Sequence, residues 1–450
     1  MTHPTRRSLL KSAGAIGLAG VAGCLSEEGG GGEGGALRIG VMQPLTGDVE
    51  YYGKQSLWGF LSGLAYKHDA DPLDADSAGE ETVEGDQYDY ELLIEDTQFD
   101  ADQAQSIATD LVEERDVDVL FGTANSGAAR RVIESVVANT DTPFVAGPAA
   151  ASDITSDSQY CSERVFRANE HTAMDARSGG RYVAQETDVE SVYIMAADYS
   201  FGRAVAANYR SVLESEGIEI AGEQFVPRGY SEFDGLYENA VEAGADAVIG
   251  GFTVVTLPAF LSTGLSGDYG LRMFGGFATM ISNNAIGGVA QRVFGEGYTA
   301  EDLRNAKLGP FTTRYHWNQY DNEINDAFVD MYTEAYGTVP DLFTSGTFTA
   351  GSALVQAVED AGSTDADDVV DALTGMTVDD TPKGEAGYTF QEYNNQARSE
   401  MTIANPVPTT DEWADSWDAG VMPSEPVARV AGSDATIPQG ASGMNCDLSG

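Results

Sequence analysis

The sequence predicts an α/β protein made of two doubly wound parallel sheets. From residue 36 onward, short apolar runs rich in β-branched residues alternate with segments whose apolar residues have helical spacing. This alternation, with short loops between the runs, favours a parallel sheet covered by helices on both faces. The pattern restarts near residue 168, and a single core rarely grows beyond ~250 to 300 residues. A chain of 450 residues is therefore expected to form two such lobes.

Five of the predicted strands end in a turn that carries small, polar or aromatic residues and leads into a helix. In an open α/β sheet, the carboxyl ends of the strands and the amides of the following helices face one crevice. Hydroxyls and amides there suit a carboxylate or another polar acceptor, whereas aromatic side chains suit an apolar body. Each aromatic residue taken alone equally fits an ordinary core position. The candidate ligand-binding residues from these turns are Asn125, Ser126, Ser152, Tyr199, Phe201, Phe252 and Phe277.

The composition is strongly acidic but still typical of a globular protein. Asp and Glu total 72 against 24 Lys and Arg, which gives a formal net charge of -48, while 42% of the residues are hydrophobic. Such a charge repels nucleic acid and anionic membrane surfaces. It is typical of proteins adapted to high salt, where the Debye length falls to about 3 Å at 1 M and self-repulsion is screened. We infer a halophilic source, and no nucleic-acid partner is expected.

Residues 1–24 are organised like an export signal rather than a membrane span. The twin arginine Arg6 and Arg7 precedes a short Gly/Ala-rich run that ends in VAGC at Cys24. About 20 apolar residues are needed to cross a bilayer, whereas this arrangement resembles a Tat signal followed by a lipobox. Cys24 then carries lipid, and the Gly/Glu-rich residues 25–36 form a flexible tether. The expected location is outside the cell, anchored by lipid to the outer face of the cytoplasmic membrane.

The cysteine count leaves one possible disulfide. Cys161 and Cys446 remain after Cys24 is assigned to lipidation. In an oxidising compartment a leftover pair bonds more often than it stays free. The sequence therefore predicts a disulfide between Cys161 and Cys446, which would fasten the C-terminal tail, residues 431–450, back near residue 161.

The sequence contains no recognisable catalytic constellation. Its four His are scattered without metal-ligand spacing, and neither H-E-x-x-H nor C-x-x-C occurs. It also lacks the G-x-S-x-G nucleophile elbow and the phosphate-binding P-loop. We therefore expect no enzyme activity, no metal and no cofactor.

Segments spread over nearly the whole chain resemble one family. They are RIGVMQPLTGDVEYYGKQSLWG, LLIEDTQFDADQAQSIATDLVEERDVDVLFGTANSGAA, PFVAGPAAASDIT, VFRANEHTAMDA, DYSFGRA and TPKGEAGYTF, running from about residue 37 to about residue 430. Their order is similar to that of branched-chain amino-acid type substrate-binding proteins of ABC importers, which have the type I periplasmic-binding fold. The resemblance implies two lobes joined by a three-crossing hinge, with the solute buried between them as they close. It places residues 37–167 and 316–377 in lobe 1, and residues 168–315 and 378–430 in lobe 2.

The resemblance also assigns roles to the turns of the first lobe. Asn125 and Ser126, together with the turn that contains Ala149, Ala151 and Ser152, would hold the carboxylate of the solute, partly through backbone amides. On this view Ser126→Ala weakens solute binding and leaves the unfolding midpoint without solute nearly unchanged.

In the second lobe, the resemblance places aromatic residues over the solute. Phe201 or nearby Tyr199 would cover it, and Phe252 occupies a second aromatic position. Phe277 stands where amino-acid binders place an acid that pairs with the ammonium of the ligand. Losing that acid would leave a buried ammonium unpaired at a cost of several kcal/mol. The expected solute is a small amino-acid-like molecule, a carboxylate or an amide, and the Phe277 position favours an amine-free carboxylate or an amide over an α-amino acid.

Three functions fit these observations to different degrees. The favoured one is a monomeric, lipid-anchored receptor that captures a small solute and delivers it to the transmembrane permease subunits of an ABC importer. A ligand-sensing receptor of the same fold is disfavoured because the sequence shows no transmembrane helix or signalling domain. An exported α/β enzyme is disfavoured because the catalytic motifs are absent.

Overall fold

The computed structural model describes residues 35–276 and 279–449. The predicted export signal with Cys24, most of the tether, and Phe277 lie outside the described residues. Within the described part, no helix is both long and apolar enough to cross a membrane.

The strands follow the alternation expected from the sequence. In chain order they are β1 Ala36–Gln43, β2 Gly79–Val83, β3 Asp89–Asp96, β4 Val119–Gly122, β5 Phe144–Ala146, β6 Val165–Arg167, β7 Ser191–Ala197, β8 Glu219–Val226, β9 Ala247–Gly251, β10 Arg272–Gly276, β11 Leu308–Thr313, β12 Thr377–Val378, β13 Tyr388–Phe390, β14 Ala397–Ser399, β15 Met401–Ala404, β16 Pro406–Pro408, β17 Val421–Pro423 and β18 Ala428–Val430.

The helices mostly connect successive strands. They are α1 Glu50–Lys67, α2 Ala101–Glu113, α3 Ser126–Ser135, α4 Asp153–Ser156, α5 Thr172–Asp175, α6 Arg181–Glu186, α7 Ser200–Ser215, α8 Asp234–Glu242, α9 Leu257–Ser266, α10 Met280–Phe294, α11 Ala300–Asn305, α12 Glu323–Tyr336, α13 Thr344–Ala361, α14 Ala366–Leu373, α15 Ala414–Trp417 and α16 Gly432–Ala435. A short 3-10 turn, Val137–Asn139, follows α3, and a π-helical turn, Ala176–Gly180, joins α5 to α6.

The first lobe is built on a six-stranded sheet with the order β2-β3-β1-β4-β5-β6. All neighbouring strands are parallel except the edge strand β2, which runs antiparallel to β3. In the centre, Ile39 of β1 lies opposite Leu92 on one side and Val119 on the other. All three side chains are buried, as expected for a parallel sheet covered on both faces.

Helices α1 and α13 pack against each other on one face of this sheet, unusually close together. A Cβ at Gly59 would lie 2.2 Å from the Thr347 hydroxyl oxygen, and a Cβ at Gly63 would lie 2.1 Å from the Phe348 carbonyl oxygen. Only glycine allows this approach. The close packing joins α13, far along the chain, to the first lobe.

The second lobe is built on a seven-stranded sheet with the order β18-β15-β11-β10-β9-β7-β8. The strands from β7 to β11 pair in parallel, while β15 and β18 extend one edge in antiparallel orientation. The prediction of two α/β lobes with doubly wound parallel sheets, joined by a three-crossing hinge, is confirmed. The antiparallel edge strands are the detail that the alternation pattern did not indicate.

The chain crosses between the lobes three times, and the third crossing lies later than the sequence predicted. The first follows β6 and the second lies at Arg314, directly after β11. Residues 378–430 were all predicted to belong to the second lobe. However, Val378, Tyr388 and Phe390 are buried in the same hydrophobic cluster as the residues of β1 and α1. The third crossing is therefore at Glu400, between β14 and β15.

A buried ion pair links the first crossing to the third. The Lys383 ammonium donates hydrogen bonds to Glu170 Oε1 at 2.6 Å and to the Glu400 carbonyl oxygen at 2.6 Å. Both side chains of the pair are about 1% exposed. The hydroxyls of Tyr388 and Ser399 also donate to Glu170 Oε1, at 2.6 and 2.7 Å. The hinge is thus held by a polar network rather than by apolar packing alone.

The C-terminal tail returns to the hinge. Cys161 and Cys446, predicted to pair, are joined by a disulfide with a Cα–Cα distance of 6.1 Å. The backbone amide of Asn445 donates to the Ser156 carbonyl oxygen at 2.7 Å. Ahead of this, the carbonyl oxygen of Asp434 in α16 accepts a hydrogen bond from Arg177 at 3.2 Å. The tail therefore contacts elements of both lobes on either side of the first crossing.

Candidate functional site

A cavity lies between the two lobes at the carboxyl ends of the parallel strands. Its empty volume, which includes the solvent at its mouth, is about 620 Å³. The first lobe contributes Tyr52, Phe99, Ala124, Ser126, Pro148, Ala150, Leu342 and Phe343. The second lobe contributes Tyr199, Phe201, Phe252, Thr253, Leu257, Thr279 and Ser282, and the second crossing contributes Arg314.

The turn after β4 is fixed by Asn125, the N-cap of α3. Its side-chain oxygen accepts from the amides of Gly127 and Ala128, at 2.8 and 3.4 Å, as is typical of an N-cap. Its amide nitrogen donates to the Phe99 carbonyl oxygen at 2.6 Å. Asn125 does not line the cavity itself. It positions the turn and the neighbouring Phe99, which does.

Ser126 lies on the cavity wall at the first position of α3. Its hydroxyl oxygen accepts a hydrogen bond from the Ala151 amide at 3.1 Å, and the residue is 1% exposed. This bond joins the turn after β4 to the turn after β5. Ser126 therefore has a structural contact in addition to the predicted contact with a solute.

In the second of these turns, Ala150 rather than its neighbours lines the cavity. Ala149 and Ala151 direct their carbonyl oxygens to Arg167 Nη1, at 3.0 and 2.7 Å. The Ser152 hydroxyl oxygen accepts from Asn208 of the second lobe at 3.0 Å. The structure thus brings the predicted turn to the cavity, but it places Ala149, Ala151 and Ser152 behind the wall.

Arg167 is the support of this turn and was not predicted as a site residue. It is 0% exposed, and its other hydrogen bonds go to Gln396 Oε1 at 2.6 Å and to the Thr155 hydroxyl at 2.6 Å. Burial lowers the pKa of Arg167 to about 9. Every hydrogen-bond acceptor that the structure shows for it is a neutral oxygen.

The second-lobe wall is aromatic, as predicted. Tyr199 and Phe201 lie at the start of α7 with ring centroids 6.1 Å apart. Phe252 follows β9 and packs against Phe233 and Phe260, with ring centroids 5.3 and 5.5 Å apart. Burial raises the pKa of the Tyr199 hydroxyl, which keeps it protonated. Phe277, the remaining predicted aromatic residue, lies outside the described residues.

Direct contacts between the lobes show that the cleft is closed. The Tyr52 hydroxyl in α1 accepts a hydrogen bond from the Val254 amide of the second lobe at 2.9 Å. Asp341 accepts one from the Met280 amide of the second lobe at 2.9 Å and another from the Tyr51 hydroxyl. Asp341 is 1% exposed, and this burial raises its pKa to about 6.

Arg314 provides the charged group on the described cavity wall and was also missed. Its Nε and Nη2 donate to the two carboxylate oxygens of Asp175, at 3.1 and 2.5 Å. The two side chains are 7% and 6% exposed. Burial alone would lower the pKa of Arg314, but the adjacent carboxylate outweighs burial and raises it. Arg314 is therefore a fixed, permanently charged donor.

The described lining contains no Asp or Glu. Among the described residues there is also no group of three or more His, Cys, Asp or Glu side chains that could hold a metal ion. The arrangement can therefore bind a small solute through aromatic contacts, hydroxyls, backbone amides and one guanidinium.

These features define a two-lobed binding protein of the α/β type, and comparison with known proteins gives its family. Residues 36–410 match the model of the periplasmic binding protein family. The chain belongs to this family.

Similar individual proteins agree with this assignment. The chain is 21% identical over 367 residues to the leucine-, isoleucine-, valine-, threonine- and alanine-binding protein of Pseudomonas aeruginosa, covering 82% of this chain and 89% of that protein. Among solved structures, an ABC-type branched-chain amino acid transporter protein of Rhodopseudomonas palustris is 24% identical with a TM-score of 0.65, covering 89% of this chain and 98% of the other. A solute-binding protein from R. palustris in complex with benzoate is 17% identical with a TM-score of 0.68, covering 91% and 99%. At these identities the structural similarity shows the fold.

Proposed function

We propose that this protein is the extracellular, lipid-anchored receptor of an ABC importer for a small aromatic carboxylate or a related amide. One observation carries the proposal: a closed cavity between the lobes combines an aromatic wall with hydroxyl, amide and guanidinium donors and has no acidic residue in its described lining. Aromatic residues favour a flat apolar body, and the donors favour an acceptor group at its edge.

The lack of Asp and Glu in the described lining argues against an α-amino acid as the solute. An ammonium in this closed cavity would be desolvated without a carboxylate partner, which costs several kcal/mol. The family resemblance implies that Phe277 stands at the position where amino-acid binders of this type carry the acid. A solute-binding protein with the same fold has been solved in complex with benzoate. An aromatic carboxylate is accordingly preferred here over the branched-chain amino acids.

Closure of the lobes is the proposed mechanism of capture. The Tyr52 to Val254 and Asn208 to Ser152 hydrogen bonds join opposite lobes next to the cavity. A solute that contacts both walls stabilises this closed form by its differential affinity for the two states. The permease subunits then distinguish the closed, loaded receptor from the open one.

A ligand screen tests the proposed solute class. The purified protein is heated in molar KCl, which screens its surface charge, with benzoate, 4-hydroxybenzoate, benzamide, leucine, alanine or urea. Stabilisation follows RT ln(1 + [L]/Kd), so the aromatic carboxylates are expected to raise the melting temperature most. A larger shift with leucine would contradict the solute class while leaving the receptor function intact.

Anchoring is proposed from residues 1–24 and is tested separately. In the native host, Cys24→Ser is expected to release the exported protein into the medium, because the lipid on Cys24 is the proposed anchor. Retention of this variant on the membrane would contradict the lipid anchor. Uptake of the bound solute should require the transmembrane subunits of the partner permease.

A further inference from the structure

The solute class proposed above does not by itself assign a role to the charged side chain of Arg314. It lies at the second crossing between the lobes and is the charged residue of the described cavity lining. We propose that Arg314, oriented by Asp175, selects a negatively charged solute over an uncharged one of the same shape. This inference rests on the proposed function and names the residue that sets the charge preference of the same cavity.

The guanidinium is held in one orientation. Nε and Nη2 donate to Asp175 in a two-point arrangement, so the plane of the group is fixed by the pair. Neither of these bonds uses Nη1. Arg314 lines the cavity and Asp175 does not, so the cationic member of the pair is the one that belongs to the described lining.

Other charged residues near Arg314 also affect the electrostatics at this end of the cavity. Arg167 supports the opposite turn from behind, and its hydrogen bonds go to neutral oxygens. Asp153 and Glu170 also place negative charge near these two arginines, but neither carboxylate lines the cavity. Within the described lining, a solute carboxylate would therefore be attracted by the Arg314 guanidinium more strongly than an uncharged amide would.

The backbone at Arg314 is also restrained. The preceding Thr313 hydroxyl donates to Gln319 Oε1 at 2.9 Å, and Thr312 donates to the carbonyl oxygen of Asp175 at 3.2 Å. The donor is thus positioned before the solute arrives. A positioned, desolvated donor discriminates more strongly than a mobile surface one.

The test uses benzoate, benzamide and benzamidinium, which share a ring and a planar head group but differ in charge. Binding of each is measured by calorimetry in molar KCl on the wild-type protein and on Arg314→Gln/Asp175→Asn. This double substitution removes both charges and keeps a polar side chain at each position, so that no unpaired charge is buried. Circular dichroism confirms that each variant is folded.

The wild-type protein is expected to prefer benzoate over benzamide and to bind benzamidinium least. In the double variant, the ratio of benzoate to benzamide affinity should fall about 10- to 100-fold, as for loss of one hydrogen bond to a charged group. Benzamide affinity itself should change little. The matched control is Lys67→Gln/Asp380→Asn, which removes a partly buried ion pair that does not line the cavity. The ratio of benzoate to benzamide affinity in this control should stay at the wild-type value.

An unchanged ratio in the folded double variant, or an equal fall in the control, would overturn the role of Arg314. If the double variant does not fold, binding of the same probes to Arg314→Lys is measured instead. This substitution keeps the charge but loses the forked geometry, so benzoate binding should weaken selectively, and an equal loss for benzamide would overturn the proposal.

If the wild-type protein binds none of the three probes but binds leucine, Arg314 is not a charge selector and the receptor function stands. Failure to bind any solute would instead count against the proposed function.

Discussion

The strand-end turns of the two lobes contribute to the cavity in different ways. In the first lobe, the turns after β4 and β5 present small residues, Ser126, Pro148 and Ala150, and their shape is fixed by buried hydrogen bonds behind the wall. In the second lobe, the turns after β7 and β9 present the large aromatic side chains of Phe201 and Phe252. The two first-lobe turns thus offer polar groups in defined directions, whereas the two second-lobe turns offer mainly apolar area. Polar specificity should therefore be sensitive to small changes in the first lobe, and affinity should depend on closure of the second lobe over the solute.

The largest expected effect comes from removing the support behind the first wall. Arg167→Leu leaves the carbonyl oxygens of Ala149 and Ala151 without their donor, and Gln396 Oε1 keeps only the hydrogen bond from the Thr155 hydroxyl. Because each buried unsatisfied group costs roughly 1 to 3 kcal/mol, the free energy of unfolding should fall by about 3 kcal/mol or more. Denaturant unfolding in molar KCl measures this. Arg131→Leu, at an arginine whose side chain is 48% exposed, is the control and should change little.

The next effect concerns Asp341, which joins the walls by accepting the Met280 amide. Its pKa is raised to about 6 in the folded protein, against about 3.9 in an unfolded chain. Between these values the folded state binds the extra proton. The stabilising contribution of the neutral carboxyl is therefore complete below about pH 3.9 and is lost as the pH rises through about 6.

Asp341→Asn removes this pH dependence while keeping an oxygen acceptor. Relative to wild type, the variant should gain stability as the pH rises from 4 to 7, reaching about 2 to 3 kcal/mol. Thermal unfolding over this pH range checks the result, with the exposed Asp367→Asn as a control for loss of one carboxylate. A difference that does not vary with pH would show that Asp341 is not the titrating group.

Ser126→Ala tests the first wall directly. The sequence alone predicts weaker solute binding without a change in apo stability. The structure shows that the Ala151 amide also loses its acceptor, so the free energy of unfolding without solute should fall by about 1 to 2 kcal/mol. Solute binding should weaken by about tenfold. Asn125→Ser, which keeps a helix cap and lies behind the wall, is the comparison variant. If apo stability stays at the wild-type value, the Ser126 to Ala151 bond contributes nothing.

Tyr52→Phe is expected to have the smallest effect. The Tyr52 hydroxyl bonds Val254 only when the lobes are closed. Its loss should therefore destabilise the closed state and weaken solute binding by about three- to fivefold. The unfolding midpoint without solute should stay near the wild-type value. Tyr66→Phe, at a tyrosine outside the cavity, should leave affinity unchanged. A large drop in apo stability would instead show that the lobes are already locked together without solute.

Much of the fold and part of the site could be predicted from the sequence. The alternation of strands and helices gave both lobes, and the strand-end rule found Ser126, Phe201 and Phe252 because those residues directly follow strands. Tyr52 and Phe343 were missed because they belong to helical segments that reach the cavity only through the packing of α1 and α13. Arg314 was missed because a single arginine after an apolar strand carries no local pattern.

Two further differences arise from tertiary contacts. Ala150 rather than Ala149 or Ala151 lines the cavity because Arg167 holds the flanking carbonyl oxygens. The sequence predicted the third crossing after residue 377, whereas the structure places it at Glu400, because Val378 and Tyr388 complete the core of the first lobe. Both contacts join residues far apart in the chain, which local spacing cannot reveal.

The C-terminal tail has a practical consequence for optical measurement of closure. Because the disulfide holds residue 446 beside residue 161, a fluorophore attached to the C-terminus would sit near the pivot, where displacement on closing is least. A dye pair reporting the opening angle belongs instead on the outer rims of the two lobes. For the same reason, a fusion partner attached after residue 446 would lie beside the hinge and not at the mouth of the cleft.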